Sequence, residues 1–145
     1  MRIVNRRVIH DFQILEKFEA GINLTGPEVK AVKGEHLDLT GSFVKVVGSE
    51  IYLVNAKIYA PSYAQSQDYD LARTRKLLLH KKQILALRTK MAQSNLTIVP
   101  LTCYTKHGLI KLEIALAKGK KQSDKREELR RKDIDRELER ELRRK

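Results

Sequence analysis

The alternation of apolar and polar residues that runs through most of this chain stops at Ala117. Up to there, apolar residues recur at every second position over long stretches, the period of half-buried strands. The junction that follows reads Ala117-Lys118-Gly119-Lys120-Lys121-Gln122-Ser123-Asp124-Lys125-Arg126-Glu127, and residues 128–145 are almost entirely charged. Leu129, Ile134, Leu138 and Leu142 leave a thin apolar stripe there, too narrow to fold on unaided. The chain therefore divides into a body, residues 1–117, able to bury one core, and a basic hinge and arm, residues 118–145. Glu128–Lys132 and Glu139–Arg143 are favourable pairs at helical spacing, opposed by Arg136–Arg140 and Glu137–Glu141. The arm is expected to be disordered alone and helical on a partner.

Charge indicates the kind of partner. Lys and Arg number 30 against 18 Asp and Glu, a net charge of +12. That excess favours a polyanionic partner, either nucleic acid or an anionic membrane surface, and nucleic acid is preferred to the reading of a merely soluble basic protein. No apolar run approaches the ~18 residues a bilayer-spanning helix needs. The start, Met1-Arg2-Ile3-Val4-Asn5-Arg6-Arg7, lacks the apolar core of a signal peptide. A cytoplasmic protein with no membrane partner is the expectation. The one cysteine, Cys103, lies in a strand-like run and reads as a buried structural thiol.

Within the body, Phe12, Ile14, Phe18, Ala20, Ile22 and Leu24 share one face of a long strand, interrupted by Glu16, with a bend or bulge expected at Gly21. Thr25-Gly26-Pro27-Glu28 reads as a capping box opening a two-turn helix that Gly34 closes in the left-handed position. Residues 43–47 and 51–58 form a hairpin about Gly48-Ser49. Residues 61–70 read as an exposed, mobile loop. Three consecutive leucines, Leu77-Leu78-Leu79, fit no one-sided element, so at least one faces outward or packs under the loop. Ile84, Leu87 and Met91, with Leu85 beside them, give a helix of about four turns. Residues 96–104 and 109–117 make a second hairpin about Lys106-His107-Gly108, with Ile110, Leu112, Ile114 and Leu116 on one face and Lys111 and Glu113 on the other. The sum is a mainly β fold with flanking helices: a small antiparallel barrel of the oligonucleotide-binding (OB) type, with an open α+β sheet as the alternative.

No catalytic constellation is present. His10, His36, His80 and His107 are scattered, and none has the spacing of a metal site. His10 and Asp11, read as strand neighbours, point to opposite faces. Neither a phosphate-cradling glycine loop nor a nucleophile elbow occurs. A binding protein without cofactor or metal is expected, not an enzyme. The clusters Arg73/Arg75/Lys76 and Lys118/Lys120/Lys121 place cations at element ends, where free backbone N–H groups also await phosphate. By composition alone, Lys111 is an ordinary solvated lysine.

Five segments in order carry a more specific signal: His10-Asp11-Phe12, Phe18-Glu19-Ala20-Gly21-Ile22, Thr25-Gly26-Pro27-Glu28-Val29-Lys30, Arg73-Thr74-Arg75-Lys76-Leu77-Leu78-Leu79 and Gly119-Lys120-Lys121-Gln122-Ser123-Asp124-Lys125-Arg126. Together they resemble the small protein B (SmpB) family, the protein partners of transfer-messenger RNA (tmRNA) in bacterial trans-translation. The resemblance implies an OB-type barrel with a flexible basic tail. It implies binding to the tRNA-like domain of tmRNA, support of its alanylation by alanyl-tRNA synthetase, and delivery with elongation factor Tu to the A site of stalled ribosomes, both proteins being met through the RNA. A monomer is expected. RNA contacts carry over onto Glu19, Leu78 and Lys111, with Gly21 beside them and Arg73, Arg75 and Lys76 from the basic cluster. Contacts to the 16S rRNA decoding centre and mRNA channel carry over onto Gly119, Lys120, Lys121, Asp124, Lys125 and Arg126, and Ser123, Arg130 and Arg131 are grouped with them. The chain departs from the family pattern at Phe12 and Phe43, where tyrosine is usual, at Pro27 for threonine, at Asp70-Leu71 for Asp-Pro, and at Ser123, where a ring is usual. The rival reading is a nonspecific single-strand RNA-binding or ribosome-associated protein of the same fold.

Overall fold

The computed structural model describes residues 1–61 and 68–119, together with Arg136 and Arg140. Nine strands and three helices follow in order: β1 (Arg2–Val4), α1 (Arg6–Asp11), β2 (Phe12–Ile22), α2 (Gly26–Lys33), β3 (Leu37–Asp38), β4 (Phe43–Val47), β5 (Glu50–Val54), β6 (Lys57–Ile58), β7 (Arg75–Leu78), α3 (Lys81–Ser94), β8 (Thr97–Lys106) and β9 (Leu109–Gly119). The antiparallel sheet runs β1-β8-β4-β5-β7-β2-β9, and β9 pairs back onto β8, closing a ring. This is the expected barrel: β8, β4, β5, β7, β2 and β9 form the closed ring, and β1 joins it through β8 alone. A two-stranded sheet, β3-β6, lies apart from it.

Two faces of the same strands are apolar. Inside the barrel, Ala20, Val44, Ile51, Leu53, Leu77, Ile98, Cys103, Leu112, Ile114 and Leu116 pack with Ala31 and Val32 of α2 and Ile84 and Leu87 of α3. A second cluster joins Val8 of α1 to Val99, Leu101, Ala115 and Ala117, with Phe12 and Ile14 against it. The switch between faces is a bulge. The register slips between Ile14 and Glu16 on β2, so Ile14 pairs with Ala117 and Phe18 with Ile114. One extra residue turns the even positions from the second cluster to the barrel interior. The bulge thus sits at Leu15, not at Gly21, which is in regular register with both Leu78 and Lys111. Glycine at position 21 brings the backbone close to Leu78: a Cβ there would stand 3.2 Å from that of Leu78, tighter than ordinary contact. On β8 the register slips between Pro100 and Thr102. Asn5 serves the carbonyls there, its backbone N–H donating to Leu101 at 2.7 Å and its amide to Pro100 at 3.1 Å.

Several local readings need correction. Residues 6–11 form a short helix, since a single buried residue, Val8, carries no readable period. His10 Nδ1 and Asp11 Oδ1 therefore meet at 3.0 Å on the surface instead of pointing apart. Gly34 closes α2 with φ −84°, and the left-handed residue is Glu35, φ 64°. The N–H groups of Glu35 and His36 donate to Val32 and Ala31, a Schellman ending shifted by one residue. Residues 51–58 are not one strand: Asn55, at φ 64°, breaks the run between β5 and β6. Both hairpin turns are as expected, with Gly48 at φ 63° and His107-Gly108 at 50° and 76°. Of the stretch read as a mobile loop, residues 62–67 lie outside the described ones, while Tyr69 is fixed by its hydroxyl donating to Ile58 O at 2.9 Å. Cys103 is buried, and burial pushes its thiol up to about 12.

A charged network lies beneath the barrel wall. Glu28 and Arg75 are both wholly buried. Arg75 donates to Glu28 Oε2 through Nη2 at 2.6 Å and Nε at 3.0 Å. It also donates to the carbonyls of Ala56 at 2.7 Å, Arg73 at 2.9 Å and Leu71 at 3.0 Å. Arg73 donates to Glu28 Oε1, which also accepts the Thr25 N–H at 3.0 Å and so completes the capping box. Burial alone would raise the Glu28 carboxyl, but the donors from Arg73, Thr25 and Arg75 outweigh it and hold the group at about 2. A folded value below the usual 4.5 means this stability is complete above about 4.5 and is lost as pH falls towards about 2. The gap corresponds to about 3 kcal/mol. Glu28→Gln is therefore expected to lower the urea midpoint at neutral pH, with the difference from the parent narrowing below pH about 4.5. A difference independent of pH across that window would refute the assignment.

Candidate nucleic-acid interface

Direct cross-strand partners point to the same side of a sheet. Leu78 pairs with Gly21, Gly21 with Lys111, Lys111 with Tyr104 and Tyr104 with Arg2. These five residues therefore form one row across β7, β2, β9, β8 and β1 on the outside of the barrel, opposite the buried Leu77, Leu112 and Cys103. Leu78 is 55% exposed, the leucine of the triplet that faces outward, whereas Leu77 fills the core. Gly21 keeps the row low between Leu78 and Lys111. An open groove of about 290 Å³ adjoins it, floored by Ile22, Val29, Leu78 and Leu109. A neighbouring depression brings Glu19, Gly21, Leu78 and Lys111 together with His80 and Gln83.

Glu19 is an acid in basic surroundings. Its carboxylate reaches across β9 to accept from the Tyr104 hydroxyl, and from Lys106 Nζ at 3.4 Å. The Tyr104 hydrogen bond lowers its carboxyl from the ordinary value; burial opposes this, and Lys106 and then Lys111 add to the lowering. Burial and the carboxylate push the Tyr104 phenol up to about 12, so it stays a neutral donor. The result is a fixed acceptor between two lysines beside an exposed leucine and a glycine-flat floor. Such a surface can accept hydrogen bonds from base or ribose, place cations on phosphates and pack an apolar side chain against a sugar or unstacked base.

The remaining sequence-derived positions divide. Arg75 is not at the surface; its guanidinium is spent on Glu28 and three carbonyls, and it has no donor free for phosphate. Charge alone groups it with its neighbours, and strand alternation turns it inward while Thr74 and Lys76 face out. Arg73 is part-exposed and bound to Glu28. Lys76 is exposed and paired with Glu50 at 3.2 Å. Lys118 and Gly119 belong to β9, paired with Gln13 and Phe12, two residues past the boundary drawn at Ala117. Lys120, Lys121, Ser123, Asp124, Lys125, Arg126, Arg130 and Arg131 lie outside the described residues. Tyr104 and Lys106 were missed. Position alone cannot reveal them, since only the β8–β9 register brings them over Glu19.

The SmpB protein family model matches residues 2–144. The chain belongs to the SmpB family. It is 48% identical over 136 residues to an SsrA-binding protein of Rubrobacter xylanophilus, covering 94% of this chain and 91% of that one. It is 49% identical over 135 residues to an SsrA-binding protein of Sulfurihydrogenibium sp., covering 93% and 89%. A solved chain described as "tmRNA-SmpB: a journey to the center of the bacterial ribosome" superposes with a TM-score of 0.68 at 43% identity, over 83% of this chain and 85% of that chain. The family supplies what geometry lacks: a row of this kind suits many RNAs, and SmpB relatives are named for one.

Proposed function

We infer that this chain is the protein partner of tmRNA in trans-translation. It binds the tRNA-like domain, supports its alanylation and brings it to the A site of stalled ribosomes, where the nascent chain is tagged and the ribosome rescued. Elongation factor Tu and alanyl-tRNA synthetase are met through the RNA. The chain acts in the cytoplasm, as a monomer and as a binding factor rather than an enzyme; no helix among the described residues is long and apolar enough to cross a membrane. The observation that carries this reading is the outward row of Leu78, Gly21 and Lys111 beside the held carboxylate of Glu19, in a chain matched to SmpB from residue 2 to 144.

The body's row meets the tRNA-like domain through Glu19, Gly21, Leu78 and Lys111, with Lys76 and the exposed edge of Arg73 alongside. The junction and arm, from Gly119 onward, meet the decoding centre and mRNA channel. A titration with the isolated tRNA-like RNA tests the row. Lys111→Ala is expected to weaken binding by about tenfold, the value of a lost charge-assisted hydrogen bond. Glu19→Ala is expected to weaken it comparably, although it removes an anion. Attraction by charge alone predicts the opposite sign. Tighter binding by Glu19→Ala, together with a mixture of RNAs co-purifying with the parent, would favour a nonspecific single-strand binder.

A further inference from the structure

We propose that the outward side of β4 and β5 is a second RNA-contacting face, a stacking platform for an unpaired RNA segment. Phe43, Lys45 and Val47 point outward from β4, and Tyr52 and Val54 from β5, while Val44, Ile51 and Leu53 fill the barrel between them. Phe43 lies directly opposite Val54, and Lys45 opposite Tyr52. Phe43 is 47% exposed and Val47 53% exposed, so two large apolar side chains stand in water without serving the core. They border an open depression of about 370 Å³ that Thr74 completes. An exposed Phe43 beside a part-exposed Tyr52 on the outside of the barrel does not serve the core, and points to a ligand with flat apolar faces.

Charge around the platform selects that ligand. Lys76 pairs in register with Tyr52, so Lys45, Tyr52 and Lys76 form a row across β4, β5 and β7. Glu50 accepts from both the Tyr52 hydroxyl and Lys76 Nζ, which sets the ring and the ammonium relative to each other. Two rings flanked by cations, on a chain of net charge +12, suit unstacked bases with their phosphates alongside. An RNA duplex keeps its bases stacked inside and offers nothing to Phe43. The face also continues into the first site, because Lys76 and Leu78 leave β7 on the same side, two residues apart. Single-stranded RNA flanking a structured element on the Lys111 row can therefore run over Lys76 onto Tyr52 and Phe43.

The test uses the full chain and an oligouridylate of about ten nucleotides carrying 4-thiouridine, a length suited to one such barrel. Salt of about 0.2–0.3 M suppresses purely electrostatic binding by the arm while leaving stacking in place. Phe43→Ala and Tyr52→Ala should each weaken the oligouridylate about fivefold or more, and Tyr52→Phe should not. Lys45→Ala should reduce the slope of log affinity against log salt by about 0.7. Photocrosslinks should map to peptides of β4 or β5. Binding of the isolated tRNA-like RNA should survive unchanged in all of these variants and weaken by about tenfold in Lys111→Ala, which separates the two faces. Unchanged oligouridylate affinity in Phe43→Ala and Tyr52→Ala, with no crosslink on β4 or β5, would overturn the proposal and leave the face to a protein partner. Equal losses on both RNAs, in variants that melt like the parent, would overturn it too, since the faces would then be one site.

Discussion

Arg75→Met is expected to lower the melting temperature of the chain by about 10 °C or more without touching the RNA surface. The substitution keeps apolar volume but removes the guanidinium from a fully buried carboxylate. Breaking one partner of a buried ion pair costs about 3–5 kcal/mol, because the other charge is left in a medium that cannot solvate it. Here the carbonyls of Ala56, Leu71 and Arg73 lose their donor as well, and each such orphan adds to the cost. Against a typical total stability of about 5–15 kcal/mol that is a large fraction, and for a chain of this size each kcal/mol moves the melting temperature by about 2–4 °C. Adding Glu28→Gln to Arg75→Met should cost less than the sum of the two single changes, because the second change removes the stranded charge. Melting curves of the four proteins read this directly. A melting temperature that stays put while RNA binding falls would mean that Arg75 serves the RNA after all.

Charge reversal at Lys120 and Lys121, or at Lys125 and Arg126, is expected to abolish tagging of nascent chains on stalled ribosomes while sparing binding of the tRNA-like RNA. The body's candidate site, from Leu78 to Arg2, is complete without them. By sequence spacing, ion pairs within residues 128–145 are worth only about 0.2–0.5 kcal/mol each, and an isolated helix of that length is marginal in general. On the proposed reading, the arm's cations would gain phosphate partners in a channel walled by ribosomal RNA. Replacing two cations by two acids turns that attraction into repulsion at close range. Two assays separate the steps: titration with the tRNA-like RNA, and peptide tagging on a ribosome stalled without an A-site codon. Loss of both would place the junction in the body's own RNA site. Retention of both would make it a solvated tail.

The parts of this protein legible in its sequence are those set by local rules. Alternation marked β2, β8 and β9, the glycine turns marked both hairpins, and Thr25-Gly26-Pro27-Glu28 marked the start of α2, because period, turn angle and capping each involve residues a few positions apart. What failed was read with the same rules where a distant contact overrode them. The two-faced burial of β9 was invisible, since Ala115 and Ala117 look like spacers until α1 covers them. Glu28 announced itself as a cap and proved also to be the anion of a buried network reaching 47 residues along the chain to Arg75. Family likeness pointed to Glu19, Leu78 and Lys111 one by one; the row that joins Leu78 to Lys111 through Gly21, with Glu19 beside it, depends on three strands in register. By itself the sequence determined β2, β4, β8 and β9 and the basic excess. Only tertiary structure decided which cations face solvent, which carboxylate is buried and which is held at the surface by Tyr104 and Lys106, because burial and register depend on residues that are far apart in the chain and adjacent only once it has closed.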